Sequence, residues 1–77
     1  MPKVIVYSTA TCPFCHKAKE WLKENKVEFE DVDVSADQAK AREMIEKSGQ
    51  MGVPVIEIDD KIIIGFDVEK MKQALGI

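Results

Sequence analysis

Two cysteines, Cys12 and Cys15, stand two residues apart in the run Cys12-Pro13-Phe14-Cys15 and are the chain's full complement of thiols. Sulfurs at this spacing can close a small disulfide ring or jointly hold a metal ion. Disulfide exchange needs an attacking thiolate, a leaving sulfur and geometry that keeps both within reach. The motif follows the apolar run Val4-Ile5-Val6-Tyr7 and precedes a helical pattern. A helix's first turn favours a sulfur anion through its unpaired N–H groups and the positive end of its dipole. Cys12, at or before the first helical residue, is therefore read as the nucleophile. Cys15, one turn on and more shielded, is read as the resolving thiol. Pro13 stiffens the turn between them as a first helical residue, where a missing N–H costs nothing. Phe14 is expected to project outward as an apolar contact beside the site.

Competing chemistries use the same sulfurs. A short structural disulfide is opposed by the reducing compartment expected for this chain. Cys12–Cys15–His16 also matches the attachment motif of c-type haem, but Pro13 between the cysteines and a βαβ setting speak against it. Zinc wants four ligands, and two thiolates with His16 leave one to be sought among distant carboxylates. An iron–sulfur cluster shared by two chains is opposed by the proline after the first cysteine. A zinc or iron–sulfur binding or delivery module is the alternative to an enzyme, and no metal site is assigned.

The elements that position these residues follow from the apolar pattern. Lys3–Tyr7 reads as a strand buried on both faces. Ser8–Thr11 is a polar loop. Ala18, Trp21 and Leu22 recur at helical spacing after Pro13, and Asn25-Lys26 ends that helix. In Val27–Val34, Val27 and Phe29 share one phase while Val32 and Val34 share the other, which predicts a slip or bend near Glu30-Asp31. Ser35 with Gln38 forms a capping-box pattern, opening a helix that runs to about Ser48 with Gly49 as its stop. Val53–Ile58 and Lys61–Ile64 read as strands of a hairpin turning at Asp59-Asp60. Asp67 caps a last helix over Val68–Leu75, with Gly76 as the stop. Trp21, Leu22, Met44, Ile45, Met71 and Leu75 are expected core, and Tyr7 a packed strand-end aromatic. The order β-α-β-α-β-β-α implies an α/β fold, because the first β-α-β crosses right-handed and makes its strands parallel, while the hairpin adds antiparallel partners. A four-stranded mixed sheet flanked by three helices is expected, as one domain over residues 1–77.

Pro54 is the second chemically suggestive residue. Proline lacks a ladder donor and belongs at a strand entry or an edge. Two readings are open on spacing alone: a plain strand-start proline, or a cis peptide against Cys12 that leaves the Val53 backbone to pair with an extended substrate.

Composition bounds the remainder. Seventy-seven residues at 45% hydrophobic and 32% charged describe an ordinary small globular chain. A formal net charge of -3 gives no reason to expect nucleic acid or an anionic membrane. No apolar run approaches the roughly 20 residues of a membrane span. With no basic region and long apolar core at the N-terminus, the cytoplasm is the expected compartment. Glu28, Glu30, Asp31 and Asp33 read as a solvated acidic edge. Lys17, Lys19, Lys23 and Lys26 read as an ordinary exposed helix face.

Cys-Pro-Phe-Cys after a strand, Gly49-Gln50 before Val53-Pro54, and Gly65-Phe66-Asp67 before the last helix together resemble the glutaredoxin branch of the thioredoxin superfamily. The match is collinear across essentially the whole chain. The resemblance implies a thioredoxin-like fold and a dithiol–disulfide oxidoreductase with Cys12 attacking and Cys15 second. It implies a cis bond before Pro54, with Val53 lending its backbone to a glutathione or peptide cysteine. Thr11, Pro13, Phe14, Phe66 and Asp67 would flank the same groove, the Asp67 region lying near a γ-glutamyl carboxylate. The implied partners are disulfide-containing proteins, with glutathione as co-substrate or a thioredoxin-reductase-like flavoenzyme as reductant. No tightly bound cofactor is implied, and a monomer is expected. Three departures bear on the reductant. Many glutathione users carry Lys or Arg where this chain has Thr9-Ala10-Thr11, Thr where it has Gly52, and Gly-Gly where it has Gly65-Phe66.

Overall fold

The computed structural model describes residues 3–77, so residues 1 and 2 of the expected domain lie outside it. Its elements run β1 (Val4–Ser8), α1 (Pro13–Glu24), β2 (Glu30–Asp33), α2 (Gln38–Ser48), β3 (Val55–Ile58), β4 (Lys61–Ile64) and α3 (Val68–Leu75). The strands form one mixed sheet in the order β2-β1-β3-β4. β1 pairs parallel to β2 and antiparallel to β3, and β3 pairs antiparallel to β4. This is the expected thioredoxin-like architecture.

Side-chain alternation builds two cores. Val4 and Val6 of β1, Ile56 and Ile58 of β3, and Ile63 of β4 face α1 and α3, where Ala18, Leu22 and Met71 close over them. Ile5, Tyr7 and Val55 face the other way and pack under Met44 of α2. Trp21, Ile45 and Leu75, expected as core, are half-buried at the margins of these clusters. Strand residues apolar in both phases are what a sheet covered on both sides requires.

The sequence reading needs three local corrections. First, β2 runs in unbroken register from Glu30 to Asp33, without the expected slip. Val27 and Phe29 belong to the α1 side, while Val32 and Val34 belong to the α2 side. The two phases are thus the two faces of one path, each with its own cover. Second, Ser35 does not cap α2. Asp33 takes the Ser35 N–H and hydroxyl into its own turn, and Asp37 caps the helix by accepting from the Ala39 and Lys40 amides at 3.0 and 3.2 Å. Third, β3 starts at Val55 rather than Val53, since Pro54 has no amide to donate to the ladder. The stop at Gly49 (φ 75°) and the cap at Asp67 are as expected.

Candidate active site

The strands deliver their ends to one edge of the molecule, where the motifs meet. β1 ends at Ser8, a short loop follows, and Cys12 becomes the N-cap of α1. An N-cap side chain normally offers an oxygen to an amide of the first turn. Here Cys12 Sγ fills that place, accepting from the Cys15 N–H at 3.2 Å. Pro13 occupies the first helical position. Cys12 is half-exposed and Cys15 fully buried, both as free thiols. Burial pushes the Cys15 thiol up from 9.0 to about 11, the Cys12 sulfur adding to the rise. A donation from the Thr9 backbone and the Lys19 charge act in the opposite direction.

The Val53–Pro54 peptide is cis, the second of the two readings left open by the spacing. The Val53 carbonyl accepts from Cys12 Sγ at 3.9 Å, so this bend abuts the exposed sulfur. The Gly65 N–H donates to the Pro54 carbonyl at 2.9 Å, which brings the Gly65-Phe66-Asp67 turn alongside. Cys12, Val53, Pro54, Phe66 and Asp67 are therefore drawn to one end of the sheet. Asp67 Oδ1 accepts from the Lys70 N–H at 3.2 Å, leaving its other oxygen unengaged in the cap. Thr11 and Pro13 lie exposed on either side of Cys12. Phe14 is 58% exposed, with Lys17 Nζ standing 5.3 Å from its ring centroid. His16 turns its Nε2 to the Ala10 carbonyl at 3.2 Å. Among the described residues no group of three or more His, Cys, Asp or Glu side chains is placed to share a metal ion.

Two residues read from sequence as ordinary surface are otherwise engaged. Lys19 is only 16% exposed in its side chain and meets Asp31 at 3.1 Å. Asp31 also accepts from the hydroxyl of buried Ser8 at 2.8 Å. A signal existed for both. Asp31 shares the phase of Val27 and Phe29, which faces α1, and Lys19 sits one helical turn beyond Cys15.

An exposed sulfur capping a helix, a buried partner one turn on and a cis-proline bend against it define a thiol–disulfide exchange protein on a thioredoxin-like fold. The family model named Glutaredoxin matches residues 4–63. The chain belongs to the glutaredoxin family and is a dithiol–disulfide oxidoreductase. It is 52% identical over 62 residues to a glutaredoxin-like 8.6 kDa protein encoded in a rubredoxin operon of Clostridium pasteurianum, covering 80% of this chain and 83% of that one. It is 42% identical over 67 residues to glutaredoxin 3 of Escherichia coli K12, covering 87% and 81%. Among solved structures, a mutant of the thioredoxin-like protein BC3987 superposes with TM-score 0.92 at 36% identity, over 100% of this chain and 99% of that one.

Proposed function

We propose that this chain reduces protein or glutathione mixed disulfides through Cys12 and Cys15, drawing electrons from glutathione or a thioredoxin-reductase-like flavoenzyme. The observation that carries the reading is the half-exposed Cys12 sulfur at the α1 N-cap, 3.9 Å from the Val53 carbonyl, with Cys15 buried one turn behind it. Cys12 thiolate attacks a target disulfide, forms a mixed disulfide and expels one target sulfur. Cys15 then attacks Cys12, the Cys12–target bond breaks, and the second target sulfur leaves and takes up a proton. Two electrons pass to the target and a Cys12–Cys15 disulfide remains for the reductant.

Val53 and Pro54 supply the backbone and apolar wall beside the captured sulfur, with Thr11, Pro13 and Phe14 on the near rim. Phe66 and Asp67 line the far side, where the α3 amides suit a carboxylate. Exchange needs no tightly bound cofactor. The chain acts as a monomeric domain in a reducing compartment such as the cytoplasm, on protein disulfides rather than nucleic acid or membrane.

An NADPH-coupled assay tests this, comparing glutathione plus glutathione reductase with thioredoxin reductase alone. Turnover that needs Cys12 is expected in at least one system, and the system that supports it identifies the reductant. No turnover in either, with stoichiometric zinc or cluster absorption in anaerobically purified protein, would replace the enzyme by a metal carrier.

A further inference from the structure

Resolution by Cys15 poses a problem that the two sulfurs do not solve. Cys15 must ionise to attack, yet it is fully buried, and burial is the leading cause that lifts its thiol to about 11. Lys19 lies four residues on, so its side chain rises from the same face of α1, within reach of the Cys15 side chain. It is not a free surface lysine. Its stem is largely buried, and its ammonium is fixed by Asp31 of β2 at 3.1 Å. Asp31 is fixed in turn by the Ser8 hydroxyl at 2.8 Å, one residue before the Thr9 backbone that donates toward Cys15. Both Asp31 oxygens are thereby occupied, one by a neutral hydroxyl and one by the ammonium. A line of three side chains, from β1 through β2 to α1, thus holds a cation beside the buried thiol.

We propose that Lys19, anchored by Asp31 and Ser8, is a positioning residue for the second half-reaction: its fixed positive charge favours the Cys15 thiolate once Cys12 is bonded to target. The inference rests on the Cys12 and Cys15 roles proposed above. In the reduced protein the Cys12 sulfur itself opposes Cys15 ionisation, through its hydrogen bond and its charge. Capture of a target removes that charge, because a disulfide sulfur cannot be an anion. Burial is then left opposing ionisation, with the Thr9 backbone and Lys19 favouring it. The cation's weight is therefore greatest in the one intermediate that Cys15 has to resolve. The groups that act on this thiol are Cys12 and Lys19 from α1 and the Thr9 backbone, with Asp31 of β2 and the neutral Ser8 of β1 standing behind Lys19. His16, also on α1, turns its Nε2 to the Ala10 carbonyl.

Rapid mixing of the reduced chain with excess dithiobis(nitrobenzoate) gives the test, because one aromatic thiol is released when Cys12 attacks and another when Cys15 displaces its mixed disulfide. In Lys19→Met the first release should keep its rate. The second should slow about tenfold at neutral pH, its midpoint on the pH–rate profile rising by about one unit. Lys19→Arg keeps the charge and should restore the midpoint. Lys19→Gln serves if Lys19→Met does not fold. A purely structural Lys19–Asp31 pair would lower the unfolding midpoint yet leave the pH profile of the second release in place, and that result overturns the inference. If the unsubstituted chain shows no second release, or Cys15→Ser keeps it, the cysteine roles themselves fall instead.

Discussion

Two lysines fasten helices to the same sheet, one on each face, and only one of them stands beside a cysteine. On the α1 face, Lys19 reaches Asp31 of β2. On the α2 face, Lys47 reaches Glu57 of β3 at 3.0 Å and the Tyr7 hydroxyl of β1 at 3.2 Å, with Glu43 of its own helix at 3.2 Å. Hydrogen bonds to Glu57 and Tyr7 push the Lys47 ammonium further toward its charged form, and Lys47 holds Glu43 below the usual carboxylate range. The devices match in chemistry and differ in what lies next to them. The partners of Lys47 are Glu43, Glu57 and Tyr7 and none of them is a cysteine, so its interactions serve to seat α2 on the sheet. Lys19 stands one turn beyond Cys15 on α1, so its charge also reaches the resolving sulfur. The comparison divides the molecule into a reacting face and a supporting face, and substitutions should sort accordingly.

Cys12→Ser should separate the two most completely. Serine is a preferred N-cap and its hydroxyl can take over the amide that Cys12 Sγ now satisfies. Stability in urea should therefore hold or rise slightly while turnover falls to background. Full dithiol activity in this variant would break the assignment of the reacting face.

Met44→Ala is the opposite case. Met44 is buried beneath α2 against Ile5, Tyr7 and Val55. Truncation there should cost about 2–5 kcal/mol, from lost burial plus a residual cavity. Activity per folded molecule, taken as kcat/KM below the unfolding midpoint, should be unchanged. A loss of kcat/KM matching that of a Leu22→Ala truncation under α1 would mean that the faces are not separable.

What was legible in the sequence follows the same division. The order of elements, both cysteines and the Asp67 cap could be read because each is signalled by a local pattern, whereas the cis peptide before Pro54 followed only from the family resemblance. Period-two apolar runs, a Cys-x-x-Cys after a strand, and an Asp before a helical stripe are such signals. The Asp37 cap was missed because two capping patterns overlap, and choosing between them depends on where the Asp33 turn sends Ser35. The Lys19–Asp31–Ser8 line was missed because it joins three elements, and a lysine or aspartate alone reads as solvent-facing. The strand phase of Asp31 and the one-turn spacing of Lys19 from Cys15 hint at where each points. The seating of the Gly65-Phe66-Asp67 turn on Pro54 likewise needs the sheet before it can be stated.

Alkaline pH offers a finer probe of the reacting face. The folded Cys15 thiol is lifted to about 11 from 9.0, so above pH 9 the unfolded chain loses this proton first. The unfolded state then binds fewer protons than the folded one, and stability must fall as pH rises from about 9 toward about 11. Below pH 9 both states keep the proton and the contribution is constant. Under reducing conditions, urea unfolding of the parent chain should lose more stability across this window than that of Cys15→Ala. The other ionisable side chains are common to both proteins and cancel in the difference. Equal pH slopes would show that burial does not hold the Cys15 proton.

The smallest expected effect is also the sharpest comparison, because it sets two equivalent caps against each other. Asp37 accepts from the Ala39 and Lys40 amides at the start of α2, and Asp67 accepts from the Lys70 amide at the start of α3. Replacing either by alanine should cost about 1 kcal/mol, the ordinary value of an N-cap side chain. Asp37 lies at the start of the supporting helix, so Asp37→Ala should change the unfolding midpoint and nothing else. Asp67 caps the helix that follows Phe66, in the turn bonded to the Pro54 carbonyl. Asp67→Ala should therefore carry the same stability cost together with a rise in KM for a glutathione mixed disulfide, at unchanged kcat. That pattern is what loss of ground-state binding produces, since the chemistry at Cys12 is untouched. If both variants lose stability alike and neither alters KM, the α3 cap belongs to the supporting part of the molecule, and the glutathione groove proposed beside Pro54 must be redrawn without it.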